Sequence, residues 1–154
     1  MLTVAEIMTR EPYTLHPDQY LGDARRLMAE HHIRHIPIVS KDGTLIGVVS
    51  QRDVLAASQS RLAGSDTGGD ATLALAEVMS SPVHTTDPDA GLRGAALFLQ
   101  QNRLGCLPVL ASGKLVGIVT DSDYVTVAVH LMEQIELAEP VEDDGIYADD
   151  EPLP

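Results

Sequence analysis

The stretch Gly47-Val48-Val49-Ser50-Gln51-Arg52-Asp53 returns later in the chain as Gly117-Ile118-Val119-Thr120-Asp121-Ser122-Asp123. Each copy reads glycine, two β-branched apolar residues, a hydroxyl residue, two polar residues and an aspartate. The apolar pair suits a buried strand. The hydroxyl residue and the aspartate fall where a helix begins, so either can cap it. A strand running into a helix start also presents free backbone N–H groups and a positive dipole end, which suits a phosphate or a sugar hydroxyl. Capping alone would explain the same residues, so at this level both readings of Ser50 and Thr120 stand.

Outward from this stretch the chain repeats itself. Ala76-Glu77-Val78-Met79 echoes Ala5-Glu6-Ile7-Met8 at a shift of 71, and Pro88-Asp89 echoes Pro17-Asp18 at the same shift. Leu92, Ala95 and Pro108 answer Leu21, Ala24 and Pro37. The shift then falls to 70, where Gly113, Leu115, Gly117, Val119 and Asp123 answer Gly43, Leu45, Gly47, Val49 and Asp53. The lost residue falls at a turn, where a length change does least harm.

Local signals give each repeat an order of elements. Thr3-Val4-Ala5-Glu6 reads as a capping box opening a short helix through Met8. Tyr13-Thr14-Leu15 is a strand candidate, and Leu21, Ala24, Leu27 and Met28 recur at helical spacing up to His32. Ile36–Val39 reads as a strand that Pro37 places at an edge or a start. Asp42-Gly43 signals a hairpin, Leu45–Val49 returns, and Arg52–Ala57 is helical. Residues 58–70, rich in Ser and Gly, read as a flexible linker. The organisation expected is therefore 1–57, a linker 58–70, a second unit 71–138, and a tail 139–154. The final helix is expected from about Asp123 past Met132, with an apolar face of Val125, Val129, Leu131 and Met132, and an end at Pro140.

Composition narrows the function classes. The chain has 154 residues, 44% of them hydrophobic but only 3% aromatic, with no Trp and one Phe. Its core is aliphatic, and base-stacking surfaces for single-stranded nucleic acid are not expected. The formal charge is −13. Glu133–Pro154 holds nine acids and no Lys or Arg, which leaves −4 for residues 1–132. Neither part offers a basic face to nucleic acid or an anionic membrane. The tail, acidic and Pro-containing, is expected to be disordered. Cys106 is the only cysteine, so no internal disulfide forms. No apolar run approaches the roughly 18 residues of a membrane helix, and the start does not read as a signal peptide, so a cytoplasmic protein is expected.

The repeated G-h-h-[ST]-x-x-D ending, with an h-P-h-h strand before it in both copies, resembles the cystathionine-β-synthase (CBS) domain family. Two copies in tandem resemble a Bateman module, over about Val4–Met132. The resemblance implies an α/β (α+β) fold of two CBS units. Each is β-α-β-β-α with a helical lead-in, and the two pack around a pseudo-twofold axis with two clefts between them. It implies an adenosine ligand, either AMP, ADP or ATP, with S-adenosylmethionine as an alternative, and no catalytic cofactor. Asp53 and Asp123 map to the family's ribose-binding aspartate, and Ser50 and Thr120 to its phosphate-contacting hydroxyl. Thr14, Ile36 and Pro37, and Thr85, Leu107 and Pro108, map to the adenine surroundings. Arg34 and His35 occupy positions where the family often carries phosphate-contacting cations. Their counterparts Gly105 and Cys106 carry no charge, so the two clefts are expected to bind unequally. A homodimer and a regulated partner protein are expected with this family.

Other constellations weigh less. His31 and His35 have metal-ligand spacing, but the chain leaves the helix between them and no acid intervenes, so no metal site is assigned. Asp121 reads as a first-turn acid rather than a cation ligand. Cys106 reads as a small buried core residue, not a nucleophile. No activated nucleophile or acid–base pair emerges, so the chain is not read as an enzyme. The alternatives are a ligand-free dimerisation scaffold, metal binding at the His cluster, or a small nucleotide hydrolase.

Overall fold

A computed structural model describes residues 1–62 and 72–138. The remainder of the expected linker and the acidic tail, with Pro140, lie outside the described residues. A 3-10 turn, Val4–Glu6, leads into β1 (Thr9–Arg10). Then follow α1 (Leu21–His31), β2 (His35–Val39), β3 (Leu45–Ser50) and α2 (Gln51–Leu62). The second repeat supplies α3 (Leu75–Val78), α4 (Leu92–Asn102), β4 (Cys106–Ala111), β5 (Lys114–Thr120) and α5 (Asp121–Ala138). One sheet has the order β1-β5-β4 and the other pairs β2 with β3, all antiparallel.

Several boundaries differ from those expected. The capping box forms, with the Glu6 carboxylate accepting from the Thr3 N–H at 2.6 Å, but it opens a single 3-10 turn. Helix α2 runs to Leu62, into the stretch read as linker, and the Ser58 hydroxyl donates to the Val54 carbonyl at 2.7 Å. Helix α5 begins at Asp121, directly after Thr120.

The strand expected over Tyr13–Leu15 contracts to one parallel bridge, Leu15 to Ile38, mirrored by Thr86 to Val109. Prolines explain this at both ends. Leu15 donates to the Pro37 carbonyl (3.2 Å) and accepts from the Val39 N–H (3.0 Å). The next bond toward Tyr13 would need an N–H from Pro37, and the next one onward an N–H from Pro17. Neither exists, and the His16 ring takes the Val39 carbonyl instead (Nδ1 at 2.9 Å). Pro88 and Pro108 frame Thr86 in the same way. The repeat's length difference falls at the hairpins. The first turn spans residues 40–44, whereas Ser112 and Gly113, both with positive φ, close the second in two residues.

The packed halves are not the covalent repeats, because the lead-ins cross. Leu75, from the second repeat, is fully buried in the core built by Leu21, Met28, Ile36, Ile38 and Val49. Val4 and Met8, from the first, pack with Leu99, Leu107, Val109 and Val119. The backbone repeats this exchange bond for bond. Leu75 donates to Gln19 (2.8 Å) and Ala76 to Pro17 (3.0 Å); Val4 donates to Ala90 and Ala5 to Pro88, both at 2.9 Å. Each crossing chain then lies over the opposite hairpin, Ser80 against Val48 and Thr9 against Ile118. Glycine permits the approach. A Cβ on Gly47 would sit 2.5 Å from the Met79 sulfur, and one on Gly117 2.6 Å from that of Met8. The first residue of the repeated motif is therefore glycine because a methionine of the other repeat lies on it.

Candidate functional site

The motif's polar residues lock each strand-to-helix junction. In the first, the Asp53 carboxylate accepts from the Ser50 N–H (2.8 Å), and the Asp53 N–H donates to Ser50 Oγ (3.1 Å). In the second, Asp123 Oδ2 accepts from the Thr120 N–H (2.7 Å) and the Thr120 hydroxyl (3.2 Å). These are capping roles, and each uses the Oδ2 oxygen alone. The next N–H of each helix donates across the junction, Gln51 to Arg34 (2.8 Å) and Asp121 to Gly105 (3.0 Å).

Two clefts open where the repeats meet. The larger, of about 570 Å³, is bordered by Ser50, Arg52 and Asp53 of the first motif. Its opposite wall is the crossing segment Ser80, Pro82, Val83 and His84, with Arg103, Gly105 and Cys106. The smaller, of about 350 Å³, is bordered by Ile118, Thr120 and Ser122 of the second motif. Its opposite wall is Thr9–Tyr13, with His32, Arg34 and His35. Arg34 and His35 also border the larger cleft. Both volumes fall in the range of small-molecule sites, roughly 300–1,000 Å³.

Charge is concentrated at the larger cleft's rim. Arg34 donates to Ser122 Oγ (2.8 Å) and lies 3.4 Å from Asp121 Oδ1. His35 packs onto Gly105, where a Cβ would meet its Nε2 at 2.5 Å. Burial lowers the pKa of His35, with Arg34 adding to the effect and Asp121 and Asp53 opposing it. Burial, reinforced by the Asp121 charge, pushes the Cys106 thiol up to about 12. Cys106 is half-buried and borders the larger cleft rather than lying in the core. Its raised pKa keeps it a protonated thiol.

The structure thus gathers Arg34, His35, Ser50 and Asp53 at one cleft, and Arg34, His35 and Thr120 at the other. Asp123 does not border the smaller cleft. Ile36, Pro37, Leu107 and Pro108 are fully buried core residues. Thr14 is exposed and borders neither cleft, and Thr85 lines a separate depression beside Phe98. Among the described residues no group of three His, Cys, Asp or Glu side chains is placed to hold a metal, and His31 stacks on Tyr13 at 3.9 Å.

Sequence reasoning missed the crossing walls. Tyr13 and His84 stand at equivalent positions, each beside one cleft and against a second ring, His31 and Phe98 respectively. It also missed Arg10, Arg52 and Arg103, which give both clefts cations of their own. The repeated methionines opposite repeated glycines were the available signal, because both members of each pair recur at nearly the same shift.

The CBS domain family model matches residues 4–60 and 75–130. CBS domain-containing protein YhcV of Bacillus subtilis is 31% identical over 123 residues, 80% of this chain and 83% of that one. A structure described as a putative acetoin utilization protein (AcuB) from Vibrio cholerae is 46% identical, with a TM-score of 0.79 over 88% of this chain and 98% of that one. CBSX2, solved in complex with AMP, is 29% identical with a TM-score of 0.72, covering 86% of this chain and 99% of that one. The chain spans only 24% of another relative, the homoserine O-acetyltransferase of Methanohalophilus mahii, to which it is 30% identical over 129 residues.

Proposed function

This chain belongs to the CBS domain family, and from that premise we propose that it is a regulatory module without catalysis of its own. It binds an adenosine ligand of the AMP, ADP or ATP class between its repeats and signals that state to a partner protein. One observation carries the reading. The larger cleft brings a carboxylate at a helix start, Asp53, together with Arg34, Arg52 and Arg103 in a volume of about 570 Å³. Asp53 Oδ1 makes no hydrogen bond among the described residues and is available to a ribose hydroxyl, while the arginines suit phosphate. The AMP held by CBSX2 supports the ligand class.

Mass spectrometry of small molecules carried through native purification tests this. An adenosine compound released in up to two equivalents supports it; a chain that carries none and shows no thermal shift with AMP, ADP or ATP overturns it.

A second reading, a ligand-free dimerisation scaffold, draws on α5. Val125, Val129, Met132 and Ile135 are between 49% and 62% exposed there, and no residue of this helix is buried. We combine the two: the ligand module is a homodimer that uses this helix.

A further inference from the structure

We propose that the two clefts share a single phosphate-binding cation, Arg34, so that two phosphate-bearing ligands compete for it and bind with negative coupling. This rests on the ligand reading above. Among the described residues only Arg34 and His35 border both clefts. Their pseudo-equivalents are Gly105 and Cys106, so the axis between the clefts carries one guanidinium where strict symmetry would place two.

The guanidinium stands on the dividing wall. It contacts Ser122, which borders the smaller cleft, and Asp121, which borders the larger. Both members of the ion pair are more than half exposed, at 53% and 55%, so the pair is weak and exchanges readily for a phosphate on either side. His35 is no substitute, since packing on Gly105 holds it in a setting that disfavours its charge. Arg52 and Arg103 serve only the larger cleft and Arg10 only the smaller. They set each cleft's own affinity, whereas Arg34 links the two. A ligand without phosphate makes no claim on it.

Titration calorimetry with adenosine and AMP on single-cleft variants separates a shared cation from one owned by a single cleft. Val83→Trp fills the larger cleft, and Pro12→Trp, at the equivalent position, fills the smaller. In each variant, adding Arg34→Ala should weaken AMP about tenfold and adenosine less than about twofold. In the unaltered chain the second AMP should bind about tenfold more weakly than AMP binds the matching single-cleft variant. Adenosine should show no such difference. If either tryptophan variant fails to fold, Ser80→Trp replaces the first and Thr9→Trp, at the equivalent position of the other repeat, replaces the second. Loss of AMP affinity in only one single-cleft background, or two AMP molecules binding independently, overturns the sharing and leaves the ligand reading standing. Failure of both adenosine and AMP to bind removes that reading and the sharing with it.

Discussion

Single residues in this chain hold two roles at once. Asp53 and Asp123 cap helices through one carboxylate oxygen each, yet only Asp53 borders a cleft. A sequence motif shows both as the same letter, so the difference was not legible there. His35 answers to its surroundings through its charge. Burial places its pKa below 6.5 in the folded chain, against about 6.5 unfolded. As pH falls through the unfolded value, the unfolded chain takes up a proton that the folded chain refuses. Stability therefore declines from there down to the folded value. Melting temperatures measured from about pH 7.5 to 5 should fall, and less steeply in His35→Gln. An equal slope in both would place the acid sensitivity elsewhere.

At the level of elements, the hairpins, the helices α1 and α4 and the strand prolines were legible because each depends on local chemistry. The crossing was not, because a lead-in helix looks the same whichever core receives it. Only Gly47 facing Met79 and Gly117 facing Met8 encode the exchange. Leu75 shows its energetic weight: fully buried in the first repeat's core, it anchors the second repeat's lead-in. Leu75→Ala should cost about 2–5 kcal/mol through lost burial and a cavity. Hydrogen exchange should then quicken in β2 and β3, which are more than twenty residues distant in sequence. Exchange that quickens only within the second repeat's own strands would contradict the crossed packing.

For the whole molecule, the internal repeat made the two-unit fold readable. The cleft walls were not, since they combine a motif from one repeat with a lead-in from the other. No helix among the described residues is long and apolar enough to cross a membrane. The exposed apolar residues of α5 are the observation behind the proposed homodimer. Sedimentation at micromolar concentration should give a dimer that Val129→Asp with Met132→Asp converts to monomer. A monomer before substitution would remove the homodimer.

The Asp53 cleft is the proposed seat of the adenosine ligand. Titration of AMP into the chain and into Asp53→Ala tests it most directly. Binding should weaken about ten- to hundredfold in the variant, the loss of a charged hydrogen-bond acceptor, with the melting transition retained. AMP binding that is absent, or unchanged by Asp53→Ala in a folded chain, would contradict it.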